Sequence, residues 1–243
     1  MYPVLPILAD LHTHSISSGH HTTDTITDLA RAAAERGLSL LGITDHGPAM
    51  AGAPSPAYFR GLSSAPPIRF GVSILYGVEL NILDEAGSLD LPDDILSTLD
   101  FAAAGIHFPY FSKKSSDAVT SAYLHAIRHP FVHIIAHCDD PRFPADYQAL
   151  AEAASQEHVL LELNEASLTP GGYRGDTRPA ARELLRWCAF YRHPVLLGSD
   201  SHGRNQVGRM EHCLAFLEEC DFPPELVLNQ RPEEIRTFFR EEL

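Results

Sequence analysis

The chain has 243 residues, of which 44% are hydrophobic and 21% are charged, and its formal net charge at pH 7 is −14. This composition is typical of a globular protein, no apolar run is long enough to span a membrane, and the N-terminus lacks a basic leader, so we expect one cytoplasmic domain covering residues 1–243. The negative charge disfavours nucleic acid as a partner and favours a small substrate.

Seven short apolar runs recur along the chain, and each ends in a polar or titratable residue. In chain order they are VLPILADLH, LSLLGITDH, SILYGVELN, DFAAAGIH, VHIIAHC, VLLELN and PVLLGSDSH. Continuous apolar character indicates strands that are buried on both faces, as in a parallel sheet. We therefore interpret the seven runs as parallel strands.

Helical patterns separate several of these strands. The clearest is TDTITDLARAAAERG, residues 23–37, with Thr25 or Thr27 as its N-cap and Gly37 as its stop. Later segments follow the same pattern, and RPEEIRTFFREEL predicts a terminal helix. The alternation predicts an α/β fold that is either an open sheet or a closed barrel. We expect segments 47–67 and 84–100 to be insertions over one face.

Two histidines lie one residue apart at the end of the first predicted strand. Residues i and i+2 of a strand face the same side, so His12 and His14 present two imidazoles that can bind one ion. In the loop that follows, His20 is well placed as a further ligand, with His21 as the alternative. The later strand ends carry more residues of the same chemical types, which are Asp45, His46, Glu79, His107, His137, Asp200 and His202.

The carboxyl ends of the strands in a parallel sheet or barrel meet at one place, so we expect these side chains to converge. Imidazoles and carboxylates together are the ligand set of zinc, manganese or iron(II), and burying so many would be costly without cations between them. The four cysteines form no CxxC pair and suggest no thiolate site. Because one catalytic ion takes three or four protein ligands, this many candidates predict two or three ions.

These residues, in this order, resemble the PHP family, named after its polymerase and histidinol phosphatase members. The resemblance is carried by the HxH pair, the loop histidine, and the sequences TDHG, GVELN, GIH, AHCDDP and GSDSHG. Within the family the chain is most similar to the small bacterial phosphatases of the YcdX type. The resemblance implies a distorted (βα)7 TIM-like barrel with three divalent metal ions, generally zinc, with manganese or iron also found.

The resemblance also implies how the ligands divide among the three ions. One ion would be held by His12, His14, Glu79 and Asp200. Glu79 would bridge to a second ion, held by His107 and His137. The third ion would be held by His20, His46 and His202, and a slip of one residue would exchange His20 for His21.

A carboxylate between two cations lets them share a water molecule, whose pKa then falls toward neutrality. We therefore predict a metal-dependent phosphatase in which a metal-activated hydroxide attacks a small phosphate monoester. Glu79 and Asp45 are the predicted catalytic residues, although Asp45 could instead orient a ligand imidazole or cap its loop. Arg174 and Arg178, in the loop after the sixth strand, are candidates for phosphate binding.

Two other hydrolase classes share part of this pattern. A phosphodiesterase or exonuclease acting on short nucleic acids would use a similar metal cluster, but the negative charge and the lack of a basic patch disfavour it. A metal-dependent amidohydrolase also begins with HxH on a first barrel strand, but Glu79 and the GSDSH ending favour the PHP pattern. The sequence predicts neither the physiological substrate nor the oligomeric state.

Overall fold

The structure is a computed structural model that describes residues 3–20 and 22–239. Its strands are β1 (Ala9–Asp10), β2 (Leu40–Ile43), β3 (Ile68–Arg69), β4 (Val72–Tyr76), β5 (Glu79–Asn81), β6 (Ala103–Gly105), β7 (Ile134–Ile135), β8 (Leu160–Asn164) and β9 (Val195–Gly198). Its α-helices are α1 (Ile26–Glu35), α2 (Pro56–Leu62), α3 (Asp93–Leu96), α4 (Ser116–Ile127), α5 (Tyr147–Glu157), α6 (Glu165–Leu168), α7 (Arg178–Tyr191), α8 (Glu211–Glu219) and α9 (Pro232–Phe238). The predicted alternation of strands and helices is therefore present.

The strands form two sheets. The spatial order is β1-β2-β4-β3 in the first and β5-β6-β7-β8-β9 in the second. Neighbouring strands are parallel, except that the edge strand β3 runs antiparallel to β4. β4 and β5 both belong to the run SILYGVELN and are separated only by Gly77 and Val78. The seven predicted runs therefore occupy seven parallel strand positions, and β3 is an addition that the sequence did not predict.

Two isolated parallel bridges join the two sheets into a ring. Thr13, after β1, pairs with Ser201, after β9, and His46, after β2, pairs with Glu79 at the start of β5. The second bridge is supported by the Glu79 N–H, which donates to the Asp45 carbonyl at 3.2 Å. The strands therefore close into a distorted barrel, and the predicted fold class is confirmed.

Apolar side chains fill the barrel interior at the end opposite the carboxyl ends of the strands. Phe101 lies close to two glycines of the barrel wall, where a Cβ on Gly42 or Gly77 would come within 2.8 Å or 2.7 Å of its ring. The Phe239 ring, just after α9, stacks on Phe101 with their centroids 5.8 Å apart. Ile235 of α9 is buried in the same cluster. The C-terminal helix therefore closes one end of the barrel.

The outer helices pack as their sequence patterns predict. Thr25 is the N-cap of α1, and a capping box joins it to Asp28, so Thr25 rather than Thr27 begins the helix. Leu29 and Ala33 of α1 are buried against the strands. The predicted terminal helix corresponds to α9, while residues 240–243 of that prediction lie outside the described residues. In residues 3–20 and 22–239, no helix combines the length and apolar character needed to cross a membrane.

The two segments that interrupt the alternation are tied to each other. Asp90 accepts hydrogen bonds from the Ala49 N–H at 3.0 Å and from Asn81 Nδ2 at 2.6 Å. The Ala51 N–H donates to the Tyr110 hydroxyl at 2.8 Å, which joins segment 47–67 to the loop after β6. These bonds fix the loop that follows His46.

Candidate active site

The predicted ligand residues meet where the parallel strands end. Histidines follow β1, β2, β6, β7 and β9, while Glu79 occupies the equivalent position on the combined strand β4–β5. The buried members of the group are His12, His14, His46, Glu79, His107, His137 and Asp200. His20 and His202 lie beside them and are half-buried. The structure thus brings together all nine residues that the sequence predicted as ligands, and their assignment as ligands stays a prediction.

The Glu79 carboxylate lies at the centre of the cluster. Its Oε1 is 3.0 Å from His107 Nε2 and 2.6 Å from His137 Nε2. Its Oε2 is 2.7 Å from His46 Nδ1 and 3.4 Å from His12 Nε2. One carboxylate therefore contacts imidazoles from four strand ends.

A second carboxylate, Asp200, lies on the other side of the first two histidines. Its Oδ1 is 3.3 Å from His14 Nε2 and 3.5 Å from His12 Nε2. Its Oδ2 accepts a hydrogen bond from Arg174 Nη2 at 3.0 Å. His12 and His14 therefore lie between the carboxylates of Glu79 and Asp200.

The remaining histidines form one edge of the cluster. His20 Nε2 lies 3.1 Å from His202 Nε2, and the His20 ring stacks on His46 with their centroids 4.8 Å apart. The His14 and His202 rings are also stacked, with centroids 4.3 Å apart. The alternative ligand His21 lies outside the described residues, so the choice of His20 stays a prediction.

Two residues of the cluster have a left-handed backbone conformation that is rare for residues other than glycine. The φ angle is 32° at His137 and 52° at Asp200. Such conformations cost free energy, and they cluster at functional sites where the surrounding structure holds them in place. The strain at these two strand ends marks the cluster as a functional site.

The donor atoms fit divalent cations. Buried atoms that have no hydrogen-bond partner among the described residues include His12 Nε2, His14 Nε2, His46 Nδ1 and Glu79 Oε2. Leaving buried polar atoms without partners is costly, and a shared cation would satisfy them. Within residues 3–20 and 22–239, four sets of donors are close enough to share an ion, namely His14–His46–His202, His12–His14–Asp200, His12–Glu79–His137 and His46–Glu79–His107. Glu79 belongs to two of these sets.

The protonation states also suit cation binding. Burial, together with His46 and His202, holds the pKa of His14 well below its usual value, and burial lowers the pKa of His107 to about 4. Burial alone would raise the pKa of Glu79, but His46, His107 and His12 hold it well below its usual value. Burial alone would lower the pKa of His12, but Glu162, Glu79 and Asp200 hold it well above its usual value, so a cation bound there would displace a proton. Neutral imidazoles such as His14 and His107 beside an ionised carboxylate are the donors that zinc and related cations prefer.

Glu162 contacts the cluster on the side away from the cavity described below, and the sequence did not identify it as a site residue. Its Oε1 lies 2.7 Å from His12 Nδ1, and its Oε2 accepts hydrogen bonds from the His137 N–H at 2.8 Å and from Asn164 Nδ2 at 3.0 Å. A His12 that donates from Nδ1 to Glu162 keeps the lone pair of Nε2 directed at Glu79 and Asp200. Glu162 therefore orients one of the two histidines of the HxH pair.

The space for Glu162 depends on the neighbouring strand. A Cβ on Gly198 would lie 1.8 Å from Glu162 Oε1 and 3.0 Å from His12 Cβ. Because no side chain fits there, glycine is required at the end of β9. A signal in the sequence could have identified Glu162, because a carboxylate inside the apolar run VLLELN needs a partner.

Asp45 also lies behind the cluster. It accepts hydrogen bonds from the Ser15 N–H at 2.6 Å, the Ser15 hydroxyl at 2.7 Å, the Ser18 hydroxyl at 2.8 Å and the Tyr58 hydroxyl. Because the Ser18 hydroxyl donates to Asp45, it accepts from His14 Nδ1 at 2.9 Å. Asp45 is buried and, through Ser18, orients His14 in the way that Glu162 orients His12.

The two predicted phosphate-binding arginines lie in different surroundings. Arg174 is buried, and besides Asp200 its guanidinium contacts Asn164 Oδ1 at 3.3 Å and the Ser167 hydroxyl at 3.2 Å. Arg178 begins α7, where it forms an ion pair with Glu219 and lies over the Phe216 ring. The structure thus brings Arg174 to the cluster and does not bring Arg178 there.

A cavity of about 660 Å³ opens beside the cluster. Its floor is formed by His20, His46, His107, Asp200 and His202. Arg174 lines one side, and the rest of the wall is formed by Met50, Ala51, Phe108, Ala166, Tyr173 and Gln206. Its volume is in the range of small-molecule sites.

We expect Glu162→Gln to weaken zinc binding about 10- to 100-fold. The carboxylate accepts bonds from His12, His137 and Asn164, whereas an amide has a single acceptor atom. At least one of these donors would therefore face the amide NH₂, and His12 would lose its fixed orientation. Competition with a chelator of known affinity measures the change.

The matched control for this variant is Glu165→Gln. Glu165 is also a buried carboxylate, but it accepts hydrogen bonds from His212 and from the Cys213 N–H. Its replacement is expected to leave the zinc affinity at the wild-type value. Equal zinc affinities for wild-type protein and Glu162→Gln would contradict the orienting role of Glu162.

Comparison with known proteins agrees with this geometry. The family model for the PHP domain matches residues 10–166. A probable phosphatase of Acetivibrio thermocellus is 36% identical over 236 residues, covering 97% of this chain and 96% of its own. The probable phosphatase YcdX of Escherichia coli O81 is 37% identical over 243 residues, covering 98% of this chain and 94% of its own. These relatives confirm the predicted enzyme class.

Solved structures share the fold at low sequence identity. The histidinol phosphate phosphatase HisK of Lactococcus lactis, solved with zinc, L-histidinol and phosphate, matches with a TM-score of 0.62 and 16% identity over 89% of this chain and 95% of its own. A chain of an archaeal ribonuclease P solved with mature tRNA matches with a TM-score of 0.58 and 15% identity over 97% of both chains. The strand-end cluster, the family match and the full-length relatives lead to one conclusion: the chain belongs to the PHP family.

Proposed function

We propose that residues 1–243 act as one PHP-type hydrolase domain that hydrolyses small phosphate monoesters with three bound divalent ions. The observation that carries the proposal is the position of Glu79, which is shared by two donor sets at the centre of the imidazole cluster, next to a cavity that Arg174 lines. The many imidazole donors favour zinc over manganese or iron.

The proposed ligands are the nine residues that the structure brings together. When bound, divalent ions supply Lewis-acid activation of water at neutral pH and neutralise phosphoryl oxygens. Glu79 belongs to two donor sets, so its carboxylate would fix the distance between the ions that the two sets bind. Glu162 and Asp45 position His12 and His14 and do not contact the cavity. They are therefore positioning residues. For Asp45, this favours the role of orienting a ligand imidazole over a direct catalytic role.

Arg174 is the phosphate-binding residue that the geometry supports. Its guanidinium is held by Asp200, Asn164 and Ser167 at the cavity wall, so it is preorganised for a phosphoryl group. In the net reaction the oxygen of water bonds to phosphorus, the bond from phosphorus to the alcohol oxygen breaks, and the alcohol leaves with a proton. Arg174 would neutralise charge on the phosphoryl oxygens throughout.

The charge around the cavity favours a small ester over a polynucleotide. Arg174 is the one lysine or arginine among the described residues that line the cavity. The chain as a whole carries a formal charge of −14. A polynucleotide backbone needs several cations along its path, and besides the proposed metal ions at the reacting phosphate this lining supplies only Arg174 among its described residues.

The proposal is tested with p-nitrophenyl phosphate and bis-p-nitrophenyl phosphate on the purified full chain. We expect zinc- or manganese-loaded protein to hydrolyse the monoester at least about 10-fold faster than the diester, with loss of activity after chelation and recovery on adding metal. Elemental analysis is expected to find about three ions per chain. A preference for the diester would favour a phosphodiesterase, and no activity on either ester would refute the proposal.

A further inference from the structure

The wall of the cavity differs chemically from its floor. The floor consists of imidazoles and Asp200, whereas the outer wall is largely apolar and includes Met50, Ala51, Phe108 and Tyr173. A phosphoryl group placed against the floor leaves the alcohol part of the substrate against this outer wall. The chemistry of the wall therefore determines which alcohols fit.

The charged groups of the cavity are already paired with each other. Among its described lining residues, Arg174 and Asp200 are the permanently charged side chains, and they form an ion pair at 3.0 Å. An alcohol that carries an ammonium or a second acidic group would find no unpaired counter-charge in this lining. Sugar hydroxyls would lose hydration against the apolar wall, where the Tyr173 hydroxyl and the Gln206 amide are the uncharged polar side-chain groups among the described residues of that wall.

Two aromatic side chains are exposed at the cavity. Phe108, in the loop after β6, is 64% exposed, and Tyr173, in the loop before α7, is 70% exposed. The centroid of the Tyr173 ring lies 4.9 Å from Arg142 Cζ and 4.8 Å from Arg174 Cζ. Exposed aromatic surface at the mouth of a pocket gains free energy when an apolar group covers it.

The apolar wall is held in place by close backbone contacts. The loop with Met50 and Ala51 is bonded to the Tyr110 hydroxyl, and it also approaches the loop before His20. A Cβ on Gly19 would lie 2.0 Å from the Gly52 carbonyl oxygen, and both glycines have φ angles above 80°. Only glycine permits this approach, so the wall is built into the fold.

From these observations we propose that the substrates are phosphate monoesters of apolar alcohols, with aromatic alcohols preferred over sugars and amino alcohols. The inference depends on the proposed function for its phosphate end. The phosphoryl group would lie on the cluster and Arg174, while the ring of the alcohol would lie between Phe108 and Tyr173. Apolar contact made there contributes to both binding and kcat/KM.

The test compares three alkyl esters whose leaving alcohols have similar reactivity, which are 3-phenylpropyl phosphate, propyl phosphate and glycerol 3-phosphate. We expect kcat/KM for the phenylpropyl ester to exceed that for the propyl ester at least about 10-fold, with the glycerol ester hydrolysed most slowly. Phe108→Ala and Tyr173→Ala should each reduce the phenylpropyl-to-propyl ratio. Phe190→Ala removes an aromatic side chain that is 69% exposed but lies on α7 outside the cavity, and it should leave the ratio unchanged.

Binding of non-hydrolysable phosphonates separates this inference from the proposed function. Calorimetry on zinc-loaded protein should show 3-phenylpropylphosphonate binding at least about 10-fold more tightly than propylphosphonate. If this ranking holds while no ester is hydrolysed, the proposed function fails and the inference about the cavity stands. Equal binding of the two phosphonates, or faster hydrolysis of glycerol 3-phosphate than of the phenylpropyl ester, would overturn the inference.

Discussion

Glu79→Gln is expected to lower kcat for phosphate monoester hydrolysis about 10³-fold and to reduce the number of bound divalent ions. The amide loses the negative charge that lies among the imidazoles of His12, His46, His107 and His137. The amide keeps one oxygen, and its NH₂ group cannot coordinate a cation. One of the two donor sets that share Glu79 would therefore lose its oxygen ligand. The substitution is nearly isosteric, which limits the disturbance of packing.

Steady-state kinetics and elemental analysis on the same preparation measure both effects. The matched control is Asp84→Asn, in the turn after β5, where an exposed carboxylate accepts hydrogen bonds from the Ala86 and Ser88 N–H groups. This variant is expected to keep the wild-type kcat and metal content. A Glu79→Gln protein that keeps its full metal content and near-wild-type turnover would show that Glu79 does not bridge two ions.

The second large effect is expected for Arg174→Met, which should lower the free energy of unfolding of metal-free protein by about 3–5 kcal/mol. Arg174 is the cation paired with the buried Asp200 carboxylate, and its removal leaves that charge without its partner. Burial alone would raise the pKa of Asp200, but His12 and Arg174 hold it well below its usual value. Losing Arg174 therefore removes one of the groups that keep Asp200 ionised; the others are His12 and His14.

Urea unfolding with and without zinc measures this loss, which zinc should reduce because a cation beside Asp200 replaces part of the missing charge. KM for phosphate monoesters should also rise, since the guanidinium no longer faces the phosphoryl group. Arg178→Met is the matched control, because Arg178 pairs with Glu219 on the surface and is expected to affect neither stability nor KM appreciably. Equal effects of the two substitutions would contradict a special role for Arg174.

The barrel could be predicted because buried parallel strands have continuous apolar sequences that end in polar residues. The same rule placed His107 and His137 at one edge although 30 residues separate them in the chain. It could not predict that the run SILYGVELN is interrupted at Gly77 and Val78 and forms two strands, β4 and β5. The antiparallel strand β3 was missed because it has two residues and no periodicity of its own.

The sequence predicted which side chains meet in the cluster, but it did not predict how those side chains are oriented. Strand ends bring ligand types together, but the orientation of each ring depends on partners that lie elsewhere in the chain. Glu162 lies between Leu161 and Leu163 and reads as part of an apolar strand, although it orients His12. Arg174 and Arg178 lie in the same predicted loop, but Arg174 is buried, whereas Arg178 is the first residue of α7 and is exposed.

The two bridges that close the barrel, Thr13 to Ser201 and His46 to Glu79, pass through the cluster itself. The first sheet and its loops contribute four of the nine proposed ligands, His12, His14, His20 and His46, and the second contributes Glu79, His107, His137, Asp200 and His202. Each donor set that includes Glu79 or Asp200 takes donors from both sheets, so an ion bound by such a set would cross-link the two halves of the barrel. Cation binding and the association of the two sheets are therefore thermodynamically linked. We expect a substitution that weakens the contact between the sheets, such as one at Thr13 or Ser201, to weaken metal binding although neither residue is a proposed ligand.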